Sequence, residues 1–201
     1  MNDITYPVME AFATVQGEGA HVGTPSWFIR LGGCDVGCVW CDVKESWDPD
    51  AHPKQTVEAI VSAAVESGRK MVVVTGGEPA MHNLTPLTAG LRAAGLQTHI
   101  ETSGAHPLTG DWDWVTLSPK KFKACRSEVY AMAHELKVIV FHRSDLEWAA
   151  EHAEKANADC ALFLQPEWDK RDEATFWILS WMATRPGWRI SLQTHKYIGI
   201  P

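Results

Sequence analysis

Three cysteines, Cys34, Cys38 and Cys41, lie together in one short segment of the chain. Three and then two residues separate them, and Gly37 allows the backbone to turn tightly around a ligand. Closely spaced thiolates bind zinc or an iron–sulfur cluster, and both kinds of site normally have four protein ligands. With three cysteines, one iron of a four-iron cluster would be open to a reactant. This interpretation is favoured over a closed zinc site and over three free thiols.

The two remaining cysteines lie far along the chain. Cys160 begins an apolar run and is expected in the core. Cys125 lies in a polar segment and remains a candidate for the fourth protein ligand of the metal or cluster site. Cysteines crowded into one loop do not resemble a secreted disulfide framework; they are typical of metal or redox chemistry in a reducing compartment. The cytoplasm is therefore the expected location.

A second segment whose residues could bind a ligand, TGGEP at residues 75–79, follows an apolar run. Gly76 and Gly77 would let the backbone approach a ligand closely, and Glu78 supplies an acceptor. On its own the segment is more typical of a plain glycine turn. In a chain that also has the cysteine loop, the TGGEP segment is interpreted as part of a binding site.

The elements that must position these residues alternate between short apolar runs and amphipathic segments. The predicted strands lie within 26–33, 70–77, 96–104, 113–120, 135–141, 160–166 and 188–196, and the helices within 56–68, 84–95, 144–156 and 172–185. Strands separated by helices of this length predict parallel βαβ units. The expected fold is α/β, a partial (β/α) barrel of about six parallel strands in one domain, 1–201, with an open doubly wound sheet as the alternative.

Helix ends can be predicted at two places. Thr56 is a candidate N-cap and Gly68 a stop for the first helix. Ser144 and Glu147 have the spacing of a capping box at the start of a later helix.

Composition limits the partners. The formal net charge of −7 argues against binding to nucleic acid, no stretch approaches the roughly 20 apolar residues of a bilayer crossing, and the first residues lack an export signal. Ten tryptophans leave room for an apolar interface, so a homodimer is compatible with the sequence, although most of these rings are expected in the core or the pocket wall.

The cysteine spacing, with Trp40 before the last cysteine, resembles the radical S-adenosylmethionine superfamily, and TGGEP resembles its second-strand motif. Further stretches narrow the resemblance to the family of 7-carboxy-7-deazaguanine synthases, and they span nearly the whole chain in the same order. They are VQGEG at 15–19, FIRLGGC at 28–34, WCDVKESW at 40–47, ETSG at 101–104, SPK at 118–120, LQP at 164–166 and QTHKYIGIP at 193–201.

That resemblance implies conversion of 6-carboxy-5,6,7,8-tetrahydropterin to 7-carboxy-7-deazaguanine with loss of ammonia, in the biosynthesis of queuosine or another 7-deazapurine. Cys34, Cys38 and Cys41 would hold a [4Fe-4S] cluster whose open iron binds S-adenosylmethionine, and one electron passed to this cofactor would start the radical reaction. No further catalytic side chain is implied. A flavodoxin or ferredoxin is expected as the reductant, and no residue identifies its docking face.

The resemblance also implies contacts with the cofactor. Residues beside the last cysteine would meet its adenosine part, the glycine motif its methionine part, and two later strand ends would complete the site. The set is Trp40, Cys41, Asp42, Gly76, Gly77, Glu78, Ser118, Pro119, Lys120, Gln165, Pro166, Glu167 and Trp168.

A second set is implied for the pterin. The planar guanidinium of Arg30 suits a bidentate grip on the substrate carboxylate, although an arginine in a strand can also simply face solvent. Glu101 would accept from ribose hydroxyls or substrate amines, or be an ordinary solvated carboxylate. Pro201 matches the family's terminal residue, whose free carboxylate reaches the guanidine-like edge of the pterin. The set is Val15, Gln16, Gly17, Arg30, Thr75, Glu101, Gln193, His195 and Pro201.

One position departs from the family pattern. A hydroxyl residue, usually threonine, follows the Cys-Asp pair in the family and joins a Mg²⁺ ion that also binds substrate. Here the residue is Val43, which cannot ligate a hard cation. Either substrate, water and another oxygen hold the ion, or the enzyme depends on it less.

Two other functions compete with this interpretation. A radical S-adenosylmethionine activase would need a docking surface for a large partner protein. A non-catalytic iron–sulfur or zinc module would need a fourth ligand, either Cys125 or a histidine.

Overall fold

The structure is a computed structural model that describes residues 4–201. Residues 1–3 lie outside the described residues; they belong to the N-terminal segment that is predicted to lack an export signal. In the described part of the chain, nine strands form one sheet in the order β3-β1-β2-β4-β5-β6-β7-β8-β9. The strands are β1 (Thr5–Val15), β2 (Pro25–Leu31), β3 (Lys54–Thr56), β4 (Met71–Gly76), β5 (Gln97–Thr102), β6 (Trp114–Leu117), β7 (Glu135–Val140), β8 (Ala161–Pro166) and β9 (Trp188–Ile190).

Strand β2 pairs in parallel with β4, and from β4 to β9 each strand pairs in parallel with the strand that follows it in the chain. A doubly wound sheet reverses its order at a switch point, so this order excludes the doubly wound alternative. The sheet ends at β3 on one side and β9 on the other, which makes it an open part of a barrel with all carboxyl ends of the parallel strands at one edge.

Within residues 4–201, six α-helices accompany the sheet: α1 (Val57–Glu66), α2 (Thr85–Ala93), α3 (Ser127–Met132), α4 (Asp145–Ala153), α5 (Arg171–Met182) and α6 (Thr194–Ile198). Strand β7 shows how its two faces differ. Leu136, Val138 and Val140 are buried in an apolar cluster with residues of α3, α4 and α5. Because side chains alternate along a strand, Glu135 and Lys137 lie on the opposite face, which is concave and polar.

Two strands were not predicted. Strand β1 pairs antiparallel with β2, and the three-residue strand β3 pairs antiparallel with β1. A β-bulge interrupts β1 between Val8 and Glu10, and its burial does not follow a regular alternation, so the sequence carries no clear strand pattern there.

Both helix ends predicted for α1 are confirmed, since Thr56 Oγ1 accepts from the Ala59 N–H at 3.2 Å and Gly68 has φ of 69°. The capping box at Ser144 is wrong. Ser144 is already helical and makes no cap bond; instead Asp145 Oδ2 accepts the N–H groups of Phe141 and His142.

The last predicted strand is also corrected, because β9 ends at Ile190 and the chain turns into α6. Gln193 and His195 therefore lie at a strand-to-helix connection. No helix in residues 4–201 is both long and apolar enough to cross a membrane.

Candidate active site

The cysteine loop follows β2 directly. Cys34, Cys38 and Cys41 share one apolar cluster with Val36 and Ala105, and Gly37 has the positive φ of 74° that the sequence predicted for a tight turn. Burial raises the pKa of Cys38 to about 11 and raises that of Cys34 as well. Thiols held apart from water in this way need a cationic ligand to ionise, as an iron–sulfur cluster provides.

The glycine turn after β4 packs against this loop. A Cβ added to Gly77 would lie 2.5 Å from Gly33 O and 2.6 Å from Cys34 Cβ, so only glycine fits here. The Glu78 carboxylate is 1% exposed and already accepts four protein hydrogen bonds, from the Thr102 and Ser103 hydroxyls and the N–H groups of Ser103 and Ala80. In this structure Glu78 ties β4 to β5 and thereby fixes the glycine turn.

On the other side of the loop, Lys120 lies beside Trp40. The Lys120 ammonium is 5.8 Å from the centroid of the indole ring and donates to Ser118 O at 2.6 Å. Burial lowers the pKa of Lys120. Further along the edge, buried Gln165 accepts from Ser191 Oγ at 2.7 Å. The predicted cofactor residues of three strand ends thus come to one rim.

The concave face carries a network of charges below this rim. Lys137, 2% exposed, forms ion pairs with Glu18 and, at 3.2 Å, with Glu101. Gln16 Nε2 donates to Glu101 Oε1 and Gln193 Nε2 to Glu18 Oε1, both at 3.0 Å. Strands β5 and β7 are thereby joined to the loop after β1 and the connection after β9.

This network sets the ionisation of its members. Burial alone would raise the pKa of Glu18, but Lys137 and the hydrogen bond from Gln193 lower it to about 2. Burial alone would lower the pKa of Lys137, but the carboxylates of Glu101, Glu18 and Glu135 raise it well above its usual range. Glu18 is therefore ionised at neutral pH beside the protonated Lys137.

Arg30 and Thr75 are direct neighbours across β2 and β4. The Arg30 side chain is 18% exposed and pairs with Glu10 through Nε at 2.6 Å. Because that contact uses Nε, the two terminal amino groups can still grip a carboxylate. Phe12 and Phe28 stack beside them with ring centroids 5.8 Å apart.

The C-terminal residues close the site from the β9 side. Thr194 N donates to Gly17 O at 2.9 Å, and Thr14 Oγ1 donates to Pro201 O at 2.8 Å. Burial lowers the pKa of His195, which lies against Gly17. The tail is thus tied to the end of β1 at two points.

These residues surround one cavity of about 530 Å³, within the usual range for a small-molecule site. Every residue predicted for the cluster, the cofactor and the pterin lines it, as does Val43, with the single exception of Pro119. Glu18, Lys137 and Lys196 also line it and were not predicted as site residues. A lone lysine inside the apolar run ELKVIVF was the signal for Lys137; Glu18 and Lys196 carried none beyond their place inside family motifs.

The residues fit an iron–sulfur cluster and do not fit a separate metal ion. The three cysteines line the cavity together, while Cys125 packs against the core cluster of β7 and touches Gly104. Cys160 is buried in that same core, as predicted. Among residues 4–201, no three His, Cys, Asp or Glu side chains are arranged to hold a metal ion, and Val43 offers no oxygen for Mg²⁺.

The fold and the three-cysteine loop define a radical S-adenosylmethionine protein, and residues 28–120 match the family described as the Radical SAM superfamily. Two relatives named 7-carboxy-7-deazaguanine synthase are 54% identical, from Flavobacterium psychrophilum (97% of this chain, 92% of that protein), and 49% identical, from Synechocystis sp. (98% and 94%). A crystal structure of QueE from Escherichia coli superposes with a TM-score of 0.85 at 34% identity, over 95% of both chains.

The chain therefore belongs to the 7-carboxy-7-deazaguanine synthase family. This confirms the resemblance seen in the sequence motifs and the prediction of a radical S-adenosylmethionine enzyme.

Proposed function

We propose that this chain, as one domain over residues 1–201, converts 6-carboxy-5,6,7,8-tetrahydropterin to 7-carboxy-7-deazaguanine with loss of ammonia, for queuosine or another 7-deazapurine. The observation that carries the proposal is a cavity in which the three cysteines, the glycine turn and the polar concave face meet. Its volume of about 530 Å³ suits small molecules, which argues against an activase that acts on a partner protein. Cys125 packs against a different core cluster, which argues against a closed four-ligand module.

Cys34, Cys38 and Cys41 would hold the [4Fe-4S] cluster, and Gly76, Gly77, Trp40 and Gln165, which line the same cavity, would contact S-adenosylmethionine. When bound, the cluster and this cofactor supply the radical that removes hydrogen from the substrate, which is the hard chemistry of the reaction. The protein contributes a walled site whose cysteines, Lys120 and Trp40 are fixed before any ligand arrives.

The substrate would lie over the concave face. The Arg30 guanidinium would bind its carboxylate, and the carboxylates of Glu18 and Glu101 would accept from the amino groups of the pterin. Lys137 holds both carboxylates in place through its two ion pairs. No side chain is assigned as a further catalytic group, so the residues of this face position the pterin and exclude water.

We further propose that the enzyme works in the cytoplasm, takes its electron from a flavodoxin or ferredoxin, assembles as a homodimer and needs Mg²⁺ less than relatives with threonine at position 43. Five free cysteines support a reducing compartment. Light scattering tests the dimer, with a monomer mass as the contradicting result.

The decisive experiment is anaerobic reconstitution followed by incubation with the carboxy-tetrahydropterin, S-adenosylmethionine and dithionite. About four irons per chain, cofactor cleavage and the mass of the deazaguanine product are expected. One bound zinc without cleavage would support the non-catalytic module, and cleavage without product would reject this substrate. Cys38→Ala, in which one ligand is lost, is the matched control.

A further inference from the structure

Phe122 gives the cysteine loop an apolar surface that faces solvent. Phe122 is 43% exposed, and its ring packs edge-on against Trp40 with centroids 6.3 Å apart. Trp40 in turn packs against the cluster that contains the three cysteines. In the loop itself, Val39 is 64% exposed between Cys38 and Trp40. On this side of the loop, the side chains of Phe122 and Trp40 lie between solvent and the cysteines.

Basic side chains flank Phe122 in the chain. Residues 118–126, SPKKFKACR, hold four basic residues and no acidic one, in a chain of net charge −7. The side chains of Lys121, Lys123 and Arg126 are 43%, 34% and 47% exposed. Their acidic partners differ in position: Asp145, under Lys121, is 7% exposed, whereas Asp35 and Glu128 are 41% and 49% exposed. A partner that approaches Phe122 from the Lys121 side meets the lysine and not its carboxylate.

We propose that Phe122, Lys121, Lys123 and Arg126, here called the Phe122 face, dock an acidic one-electron carrier protein. The inference rests on the proposed function, because that reaction begins with an electron delivered to a cluster on Cys34, Cys38 and Cys41. The carrier loses one electron and the cluster gains it. The cavity is the place for cofactor and substrate, so the carrier must reach the cysteine loop from outside it. A small apolar contact with a charged rim is typical of transient electron-transfer complexes.

The test uses the reconstituted enzyme and a flavodoxin. Binding of the oxidised flavodoxin, measured by calorimetry without turnover, should weaken about tenfold in Phe122→Glu, where a carboxylate replaces the apolar contact. Turnover driven by reduced flavodoxin should fall by a similar factor at limiting carrier, while turnover driven by dithionite stays within about twofold of wild type. Phe176→Glu, a matched change at a ring 71% exposed on α5, should alter neither binding nor turnover.

A second variant separates charge from shape. Lys121→Gln should weaken flavodoxin binding about threefold and reduce its sensitivity to salt between about 50 and 300 mM. Unchanged flavodoxin binding in both variants would overturn the proposal, as would an equal loss of dithionite-driven turnover in Phe122→Glu. So would a dimer that dissociates in Phe122→Glu, since a second copy would then occupy the face. Product formed by wild type with dithionite tests the proposed function separately.

Discussion

Lys196 Nζ lies 2.8 Å from Asp42 Oδ2 and thereby joins the two ends of the site. Asp42 follows Cys41 in the cysteine loop, and Lys196 follows His195 in α6. The same ammonium lies 5.2 Å from the centroid of the Trp168 ring, at the end of β8. The tail that carries His195 and Pro201 is therefore held to the part of the cavity assigned to the cofactor.

Replacing Lys196 by Met should affect catalysis more than stability. An ion pair whose side chains are 21% and 59% exposed contributes at most about 1 kcal/mol to folding. A tail displaced by about 1 Å can cost far more in turnover, so kcat/KM should fall about tenfold while the midpoint of thermal unfolding moves by only a few degrees. Lys196→Arg, which keeps the pair, should retain most of the activity. Equal activity of Lys196→Met and wild type would contradict the positioning role.

Site residues that are close together in the chain could be predicted from the sequence, whereas contacts between residues far apart in the chain could not. The cysteine loop and the TGGEP turn are each continuous, so their chemistry is visible from spacing alone. Lys137 and Glu18 are 119 residues apart and meet only because β7 faces the loop after β1. The parallel strands could be predicted from their apolar runs, whereas the bulged strand β1 lacks a regular pattern. Side-chain competition at Asp145 likewise displaced the predicted cap at Ser144.

Lys137→Met should strongly destabilise the fold. The substitution leaves the carboxylates of Glu18 and Glu101 without their cation, and loss of one partner from a buried ion pair costs about 3 kcal/mol or more. Urea unfolding should show a lower midpoint for Lys137→Met, and the double variant with Glu18→Gln should recover part of the loss. Lys70→Met, at an exposed position, is the control expected to unfold like wild type. A single variant as stable as wild type would show that the cluster does not stabilise the fold.

Val43 predicts weak dependence on Mg²⁺. Turnover of wild type should change less than about threefold when Mg²⁺ is removed, because valine offers no oxygen ligand. In Val43→Thr, substrate binding measured by calorimetry should become tighter when Mg²⁺ is added, and Val43→Ala should behave like wild type. Strong and equal dependence on the ion in wild type and Val43→Thr would refute this expectation.

The chain terminus predicts a difference between tags. Pro201 lines the cavity and accepts a hydrogen bond from Thr14, so an extension after it adds bulk at the cavity wall. A Gly-Ser extension after Pro201 should lower kcat/KM about tenfold, and the same extension before Met1, outside the described residues, less than twofold. Comparable rates for the two proteins would argue against a substrate role for the tail.

Two buried histidines predict loss of stability in mild acid. Burial lowers the pKa values of His99 and His152 to about 4, and each side chain is 7% exposed. Since the unfolded chain takes up these protons near pH 6.5, stability is full above that pH and is lost as the pH falls towards about 4. Glu18 affects stability only at lower pH. Because its pKa is about 2, the stability that it contributes is lost only below about pH 4.5.

Between about pH 7.5 and pH 5, each histidine should therefore cost about 2 kcal/mol of unfolding free energy, measured in urea. His99→Gln removes one of these groups, so its loss over this interval should be about 2 kcal/mol smaller than that of wild type, whatever its stability at the higher pH. His142→Gln, at an exposed position, should keep the full loss. If His99→Gln and wild type lose the same free energy, protonation of His99 does not drive the acid transition and another buried group must.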